Sequence, residues 1–131
     1  MDSSRGVERM HVLVVDRDET LRELVRETLT NMRGAKVIEA KDAEGGLREL
    51  KAHPETTLII CDWNLVGMSG AEFVERGRSM RSMVRFLATS KRADRASVMA
   101  AHTAGIRALL VKPISAQDLI AKVAVLTRAN P

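Results

Sequence analysis

Short β-branched or aliphatic runs recur along the chain, and after each one apolar positions return at helical spacing. The runs His11–Val15, Lys36–Glu39, Thr57–Cys61, Val84–Thr89 and Ile106–Val111 predict five strands. Between the first two, Leu21, Leu24, Val25, Thr28, Leu29 and Met32 advance by three and one alternately, which puts all six on one helical face. Asp18 or Thr20 can cap this first helix, because each offers a side-chain oxygen to the unpaired N–H groups of the first turn. Asp42 does the same for a second helix carrying Leu47 and Leu50. Gly45 and Gly46 inside it cost about 1 kcal/mol each relative to Ala, so it is expected to be the softest. Ser69–Arg81 and Arg92–Thr103 predict the third and fourth helices, the latter closed by Gly105 in a left-handed conformation. A fifth starts at Ser115 with Asp118 in its first turn, buries Leu119, Ile120, Val123 and Leu126, and places Arg128 where the helix dipole favours a cation. Residues 1–10 are expected to form a flexible lead, 11–128 the domain and 129–131 a short tail.

Fivefold alternation of strand and helix implies an α/β fold: a doubly wound five-stranded parallel sheet with right-handed crossovers and helices on both faces. The runs VLVV and LIIC are apolar without alternation, as strands covered on both sides should be. In such sheets ligands bind outside the carboxyl ends of the strands.

Composition narrows the setting. At 131 residues the chain is sized for one domain. It has no apolar run long enough for a membrane span or a signal peptide, and its single cysteine, Cys61, excludes an intramolecular disulfide, so a cytoplasmic protein without membrane attachment is expected. The net charge of +4 hides a division: residues 1–75 hold 10 Lys/Arg against 15 Asp/Glu, and residues 76–131 hold 11 against 2. The basic half is either a solvated surface or a docking face for an acidic partner. Direct nucleic-acid binding is not expected, since Trp63, Phe73 and Phe86 are the only aromatic residues and stacking platforms are missing. His11, His53 and His102 fit no metal spacing, Cys61 reads as a buried strand residue, Trp63 as a loop residue, and Met80, Met83 and Met99 as fillers of core gaps.

At the strand ends stand Asp16, Arg17 and Asp18 after the first strand, Asp62 after the third, Thr89 and Ser90 after the fourth, and Lys112 after the fifth. Two carboxylates, a hydroxyl and an ammonium converging on one rim suit phosphoryl transfer, where positioning and charge neutralisation do most of the work. Asp62 can act as a nucleophile forming an acyl phosphate, and Asp16 can help hold a hard divalent cation through oxygen ligands. Thr89 can donate to a phosphoryl oxygen and Lys112 can neutralise another.

The segments VLVVDRDET, IICDWNLVGMSG, LATS and LLVKPI together resemble, in order and spacing, the signature regions of the response-regulator receiver domain of two-component signalling, over about His11–Arg128. The resemblance implies a flavodoxin-like (CheY-like) three-layer sandwich with strand order 2-1-3-4-5. It also implies Asp62 as phosphoacceptor, Asp16, Asp62 and the Asn64 carbonyl around Mg²⁺, Thr89 as the switch hydroxyl, Lys112 as the phosphate-neutralising lysine, and a cis peptide before Pro113. The implied partners are a histidine kinase or phosphotransfer protein upstream, and downstream a protein docking on the basic face of helix 4, strand 5 and helix 5. A monomer or weak dimer is expected. Whether the chain is a stand-alone regulator or a receiver taken from a longer protein stays open.

Two departures from the family pattern change the expectation. The second acid after the first strand is replaced by Arg17, whose guanidinium cannot ligate a metal. Arg17 is expected either to weaken Mg²⁺ binding or partly to replace the ion's charge by pairing with Asp62, with weaker Mg²⁺ affinity and slower phosphorylation as the result; Asp18 is the substitute ligand, although one residue along the loop points elsewhere. On the fifth strand Leu109 stands where many members carry an aromatic, so threonine–aromatic coupling is not expected and the output face should respond through loop movement. Two other readings compete. One is a receiver-like interaction module that works without phosphate. The other is a haloacid-dehalogenase-like phosphatase, since Asp16-Arg17-Asp18-Glu19-Thr20 fits a D-x-D-x-T opening with Asp16 as nucleophile and Asp18 as proton shuttle. That scheme needs an acidic pair after the lysine, whereas Asp118 is the only acidic side chain beyond Lys112, and it leaves Asp62 idle.

Overall fold

The computed structural model describes residues 10–128 apart from Ala93 and Arg107, and the side chains of Arg33 and Arg128 are not described. The expected lead (Met10 apart), the tail and the dipole role of Arg128 therefore lie outside the described residues. Strands and helices alternate as β1 (His11–Val15), α1 (Glu19–Arg33), β2 (Lys36–Ala40), α2 (Ala43–Ala52), β3 (Leu58–Asp62), α3 (Gly70–Met80), β4 (Arg85–Ser90), α4 (Arg95–Thr103), β5 (Ala108–Val111) and α5 (Ala116–Arg128). Every strand pairing is parallel and the order is β2-β1-β3-β4-β5.

Alternate residues of the central strands feed two cores. Leu13 and Val15, Ile59 and Cys61, Phe86 and Ala88 pack beneath α2, α3 and α4, with Phe73 meeting Phe86 edge to face at 6.4 Å. Val12, Val14, Leu58, Ile60 and Leu87 pack beneath α1 and α5, against Leu21, Val25, Leu29, Leu119 and Val123. Burial on both faces is why VLVV and LIIC lack polar alternation.

Side-chain oxygens start the helices. Asp18 caps α1 by accepting from Thr20 N–H, which settles the choice between Asp18 and Thr20; Asp42, Ser69 and Asp94 cap α2, α3 and α4. Ser115 Oγ accepts from Asp118 N–H at the start of α5. Because Asp94 is a cap, α4 begins at Arg95 and not at Arg92; Ser69 and Arg81 are likewise the caps of α3 and not its first and last turns. β3 and β4 each run one residue further than expected, to Asp62 and Ser90, while β5 starts at Ala108. Gly105, at φ +85°, closes α4 as its sequence position suggests.

Three expectations need correction or refinement. Met80, Met83 and Met99 are 38%, 85% and 53% exposed and fill no core gap, because two lie around the α3–β4 turn and the third on the outer side of α4, a helix that buries only Ala101. Gly46 is not a simple weakness of α2: a Cβ there would stand 2.9 Å from Val15 Cγ2 and 3.1 Å from the Phe73 ring, so the glycine lets α2 settle on the sheet. Part of the basic excess has a structural task. Arg78 donates to the carbonyls of Ala104 and Gly105 beyond α4, Arg81 to that of Leu50 in α2, and Arg85 to that of Leu126 in α5. Cations at helix C-termini satisfy carbonyls left without intrahelical partners and oppose the helix dipole.

Candidate functional site

The sheet brings the distant candidates to one rim. β1 and β3 are neighbours, so Asp16, the residue after β1, and Asp62, the last of β3, lie side by side, and Thr89 is Asp62's partner on β4. Lys112 follows β5, with its N–H donating to Ser90 O at 2.7 Å and a cis peptide joining it to Pro113, as the resemblance implies. From there Lys112 Nζ reaches Oδ2 of both acids, at 2.8 Å from Asp16 and 3.2 Å from Asp62.

The two acids differ in access. Asp16 has no exposed surface, and its second oxygen, Oδ1, accepts from Asp18 N–H at 2.8 Å. Asp62 keeps 8% exposure, and its Oδ1 accepts from Asn64 N–H at 3.0 Å. Two buried carboxylates side by side repel each other, and a shared ammonium offsets that repulsion. Burial alone would lower the pKa of the Lys112 amine. The hydrogen bond to Asp16, then the charges of Asp16 and Asp62, outweigh it and hold the amine above the usual lysine value.

Thr89 is buried, and its Oγ1 has no hydrogen-bond partner among the described residues. A buried hydroxyl left unpaired costs free energy, so its natural complement is an acceptor arriving from outside. Trp63 N–H donates to Thr89 O at 2.8 Å, tying the β3–α3 loop to β4. The half-buried Trp63 ring lies against Gly70, where a Cβ would come 2.4 Å from its Cε3. Cys61 is buried as expected, and burial, then the nearby Asp62 and Asp16 charges, push its thiol up to about 12.

The modifying residues fall elsewhere. Arg17 is exposed and makes no ion pair with Asp62; the ammonium paired with Asp62 among the described residues belongs to Lys112. Asp18 turns Oδ1 of its carboxylate to Thr20 N–H as a helix cap. Leu109 is half-buried and packs into the core on the α2–α4 side of the sheet. Pro113 and Asn64 are exposed.

Among the described residues no three His, Cys, Asp or Glu side chains gather as a metal group. The oxygen donors that the resemblance implies are the carboxylates of Asp16 and Asp62, which the structure brings together, and the backbone carbonyl of Asn64. That set suits Mg²⁺, which commonly takes one or two carboxylates and keeps several waters, though with one acid fewer than the family pattern supplies. No motif pointed to Arg22. Its Nη1 donates to the backbone carbonyl of Asp16 at 2.5 Å, and its only trace in the sequence is its place one turn into α1.

Known proteins share this sequence pattern and this fold. The sequence model of the response regulator receiver domain matches residues 12–124. The chemotaxis protein CheY1 of Helicobacter pylori is 30% identical over 123 residues, covering 92% of this chain and 99% of its own length. Among solved structures, the chemotaxis protein CheY4 of Vibrio cholerae superposes with a TM-score of 0.80 at 27% identity, covering 93% of this chain and 99% of that one. A CheX–CheY–BeF3–Mg²⁺ complex from Borrelia burgdorferi shares the fold at TM-score 0.81 and 20% identity, covering 90% and 89%. Fold, rim chemistry and sequence likeness converge: the chain belongs to the response regulator receiver domain family, in its CheY-like form.

Proposed function

We propose that this receiver domain accepts a phosphoryl group on Asp62 from a histidine kinase or a phosphotransfer protein in the cytoplasm, and that the modified form changes its binding to a downstream protein. The observation that carries this reading is the Lys112 ammonium held between Asp16 and Asp62, 2.8 and 3.2 Å away, on the rim where the Thr89 hydroxyl has no partner among the described residues. Of the two acids Asp62 is the more exposed, at 8% against 0%, so its carboxylate is the one a phosphodonor can approach. One of its oxygens attacks phosphorus, the P–N bond of a phosphohistidine breaks, and the electron pair leaves with the imidazole, which takes up a proton. Lys112 then exchanges a carboxylate partner for a phosphoryl oxygen, and Thr89 Oγ1 donates to another. The protein is thus a signalling phosphoacceptor and not a turnover enzyme.

Mg²⁺, held by Asp16, Asp62 and the Asn64 carbonyl, would supply positive charge to the transferring group. Two carboxylates and one ammonium leave the pocket with a net negative charge, and Arg17 at the rim offsets it while removing a ligand. Weak Mg²⁺ binding and slow phosphorylation follow. The phosphatase reading fares worse, since Asp16 is fully buried and Asp18 is engaged as a cap. The phosphate-independent module, docking through the basic helices, has Arg17 as its best support. That a CheY sharing this fold forms a complex with CheX supports the partner-binding part of the proposal; the downstream protein is proposed to dock on the basic face of α4, β5 and α5.

Beryllofluoride, a phosphoryl mimic, tests it through Trp63, the single tryptophan. Trp63 emission should change with beryllofluoride and Mg²⁺ in the native chain and stay constant in Asp62→Asn. An unchanged native spectrum, with unchanged amide resonances, would favour the phosphate-independent module.

A further inference from the structure

We infer that Arg22 is a positioning residue for phosphoryl transfer, fixing the Asp16–Arg17 peptide so that the Asp16 carboxylate faces Asp62 and Lys112 while Arg17 is kept outside. This rests on the phosphoacceptor reading and concerns how its rim is built. Arg22 lies in the first turns of α1 and reaches back over the loop that leaves β1. Its Nη1 donates to Asp16 O at 2.5 Å, and its Nε donates to Glu39 Oε1 on β2 at 3.0 Å. The other oxygen of Glu39 accepts from Arg26 Nη1, one turn further along α1. Only 15% of the Arg22 side chain is exposed, so the fork works in a partly dried space.

Each polar group of Asp16 has one partner. Its N–H donates to Ala40 O at 3.0 Å, its carbonyl takes Arg22, its Oδ1 takes Asp18 N–H and its Oδ2 takes Lys112. The other three partners come from β2, the β1–α1 loop and the residue after β5, and among the described residues the carbonyl has Arg22 alone. Without it the 16–17 peptide loses the contact that fixes its carbonyl, and a turn of that peptide would shift both the carboxylate on one side and the Arg17 Cα on the other. Glu39 makes the arrangement selective. A bare guanidinium this close would compete with Lys112 for the Asp16 carboxylate, and pairing with Glu39 leaves Arg22 to bind the backbone.

The test compares Arg22→Ala, Arg22→Lys and Arg26→Ala with the native chain by backbone amide hydrogen exchange without phosphodonor and by initial phosphorylation rate from acetyl phosphate. Arg22→Ala should lose exchange protection at Asp16 and Asp18 but not at the β3 and β4 amides, and should be phosphorylated at least tenfold more slowly. Arg22→Lys, which can reach one acceptor but not span both, should recover part of the rate. Arg26→Ala, which leaves both Arg22 contacts in place, should stay within about twofold. Native exchange at Asp16 and Asp18 in Arg22→Ala would overturn the inference, as would an even loss of protection across the sheet in both Arg22 variants. If exchange changes locally while no variant, native included, takes up phosphate, the positioning of Asp16 stands and the phosphoacceptor reading fails.

Discussion

Lys112 Nζ lies 2.8 Å from Asp16 Oδ2, although 96 residues of chain separate the two. Only the parallel sheet makes that contact, which closes the rim between the ends of β1 and β5 with Asp62 between them. Removing the ammonium leaves two buried carboxylates without their shared partner. Lys112→Met should therefore lose about 3 kcal/mol at neutral pH, read from denaturant midpoints.

The same contact sets a pH dependence. The folded protein holds the Lys112 proton more tightly than the unfolded chain, so its contribution is complete below the ordinary lysine pKa. As pH rises through the higher folded value that contribution disappears. Above about pH 10.4, the ordinary lysine value, the native chain should lose stability faster than Lys112→Met, and the two unfolding curves should converge. Parallel curves would mean that the amine is not bound to the acids.

Arg17→Asp restores an acid beside Asp16 at a position where the native side chain is exposed and unpaired with Asp62. Mg²⁺ affinity, followed by Trp63 emission, should rise at least tenfold. Equal affinities would show that residue 17 takes no part in the metal site.

Gly70→Ala puts a methyl group 2.4 Å from Trp63 Cε3, closer than any packing allows. The indole must move, at a cost of about 1–3 kcal/mol, and its emission should shift while the sheet stays intact by far-ultraviolet circular dichroism.

Arg78→Ala removes two hydrogen bonds to the carbonyls beyond α4 and a guanidinium 5.3 Å from the centre of the Phe86 ring. A loss of about 2 kcal/mol is expected, with amide exchange quickening mainly in α4.

The strand ends carry the parts of this molecule that a sequence reveals. Apolar runs fix β1 and β3, the following acids fix Asp16 and Asp62, and the parallel arrangement then obliges them to meet. Arg17 is equally legible, but its consequence is not: charge alone permits pairing with Asp62, and the structure gives that place to Lys112. Arg22 stayed hidden because its acceptor is a backbone carbonyl, which no side-chain motif records. Gly46 misled for a related reason, since propensity counts what a glycine costs a helix and cannot see Val15 and Phe73 against it. The exposed methionines show the same limit, because composition does not say which side of α4 meets the sheet.

Intact-mass analysis after incubation with acetyl phosphate and Mg²⁺ tests the central claim most directly. The native chain should gain one PO₃ unit slowly, Arg17→Asp should gain it faster, and Asp62→Asn should gain none. A gain that persists in Asp62→Asn, or no gain in either the native chain or Arg17→Asp, would contradict the assignment of Asp62 as the phosphoacceptor.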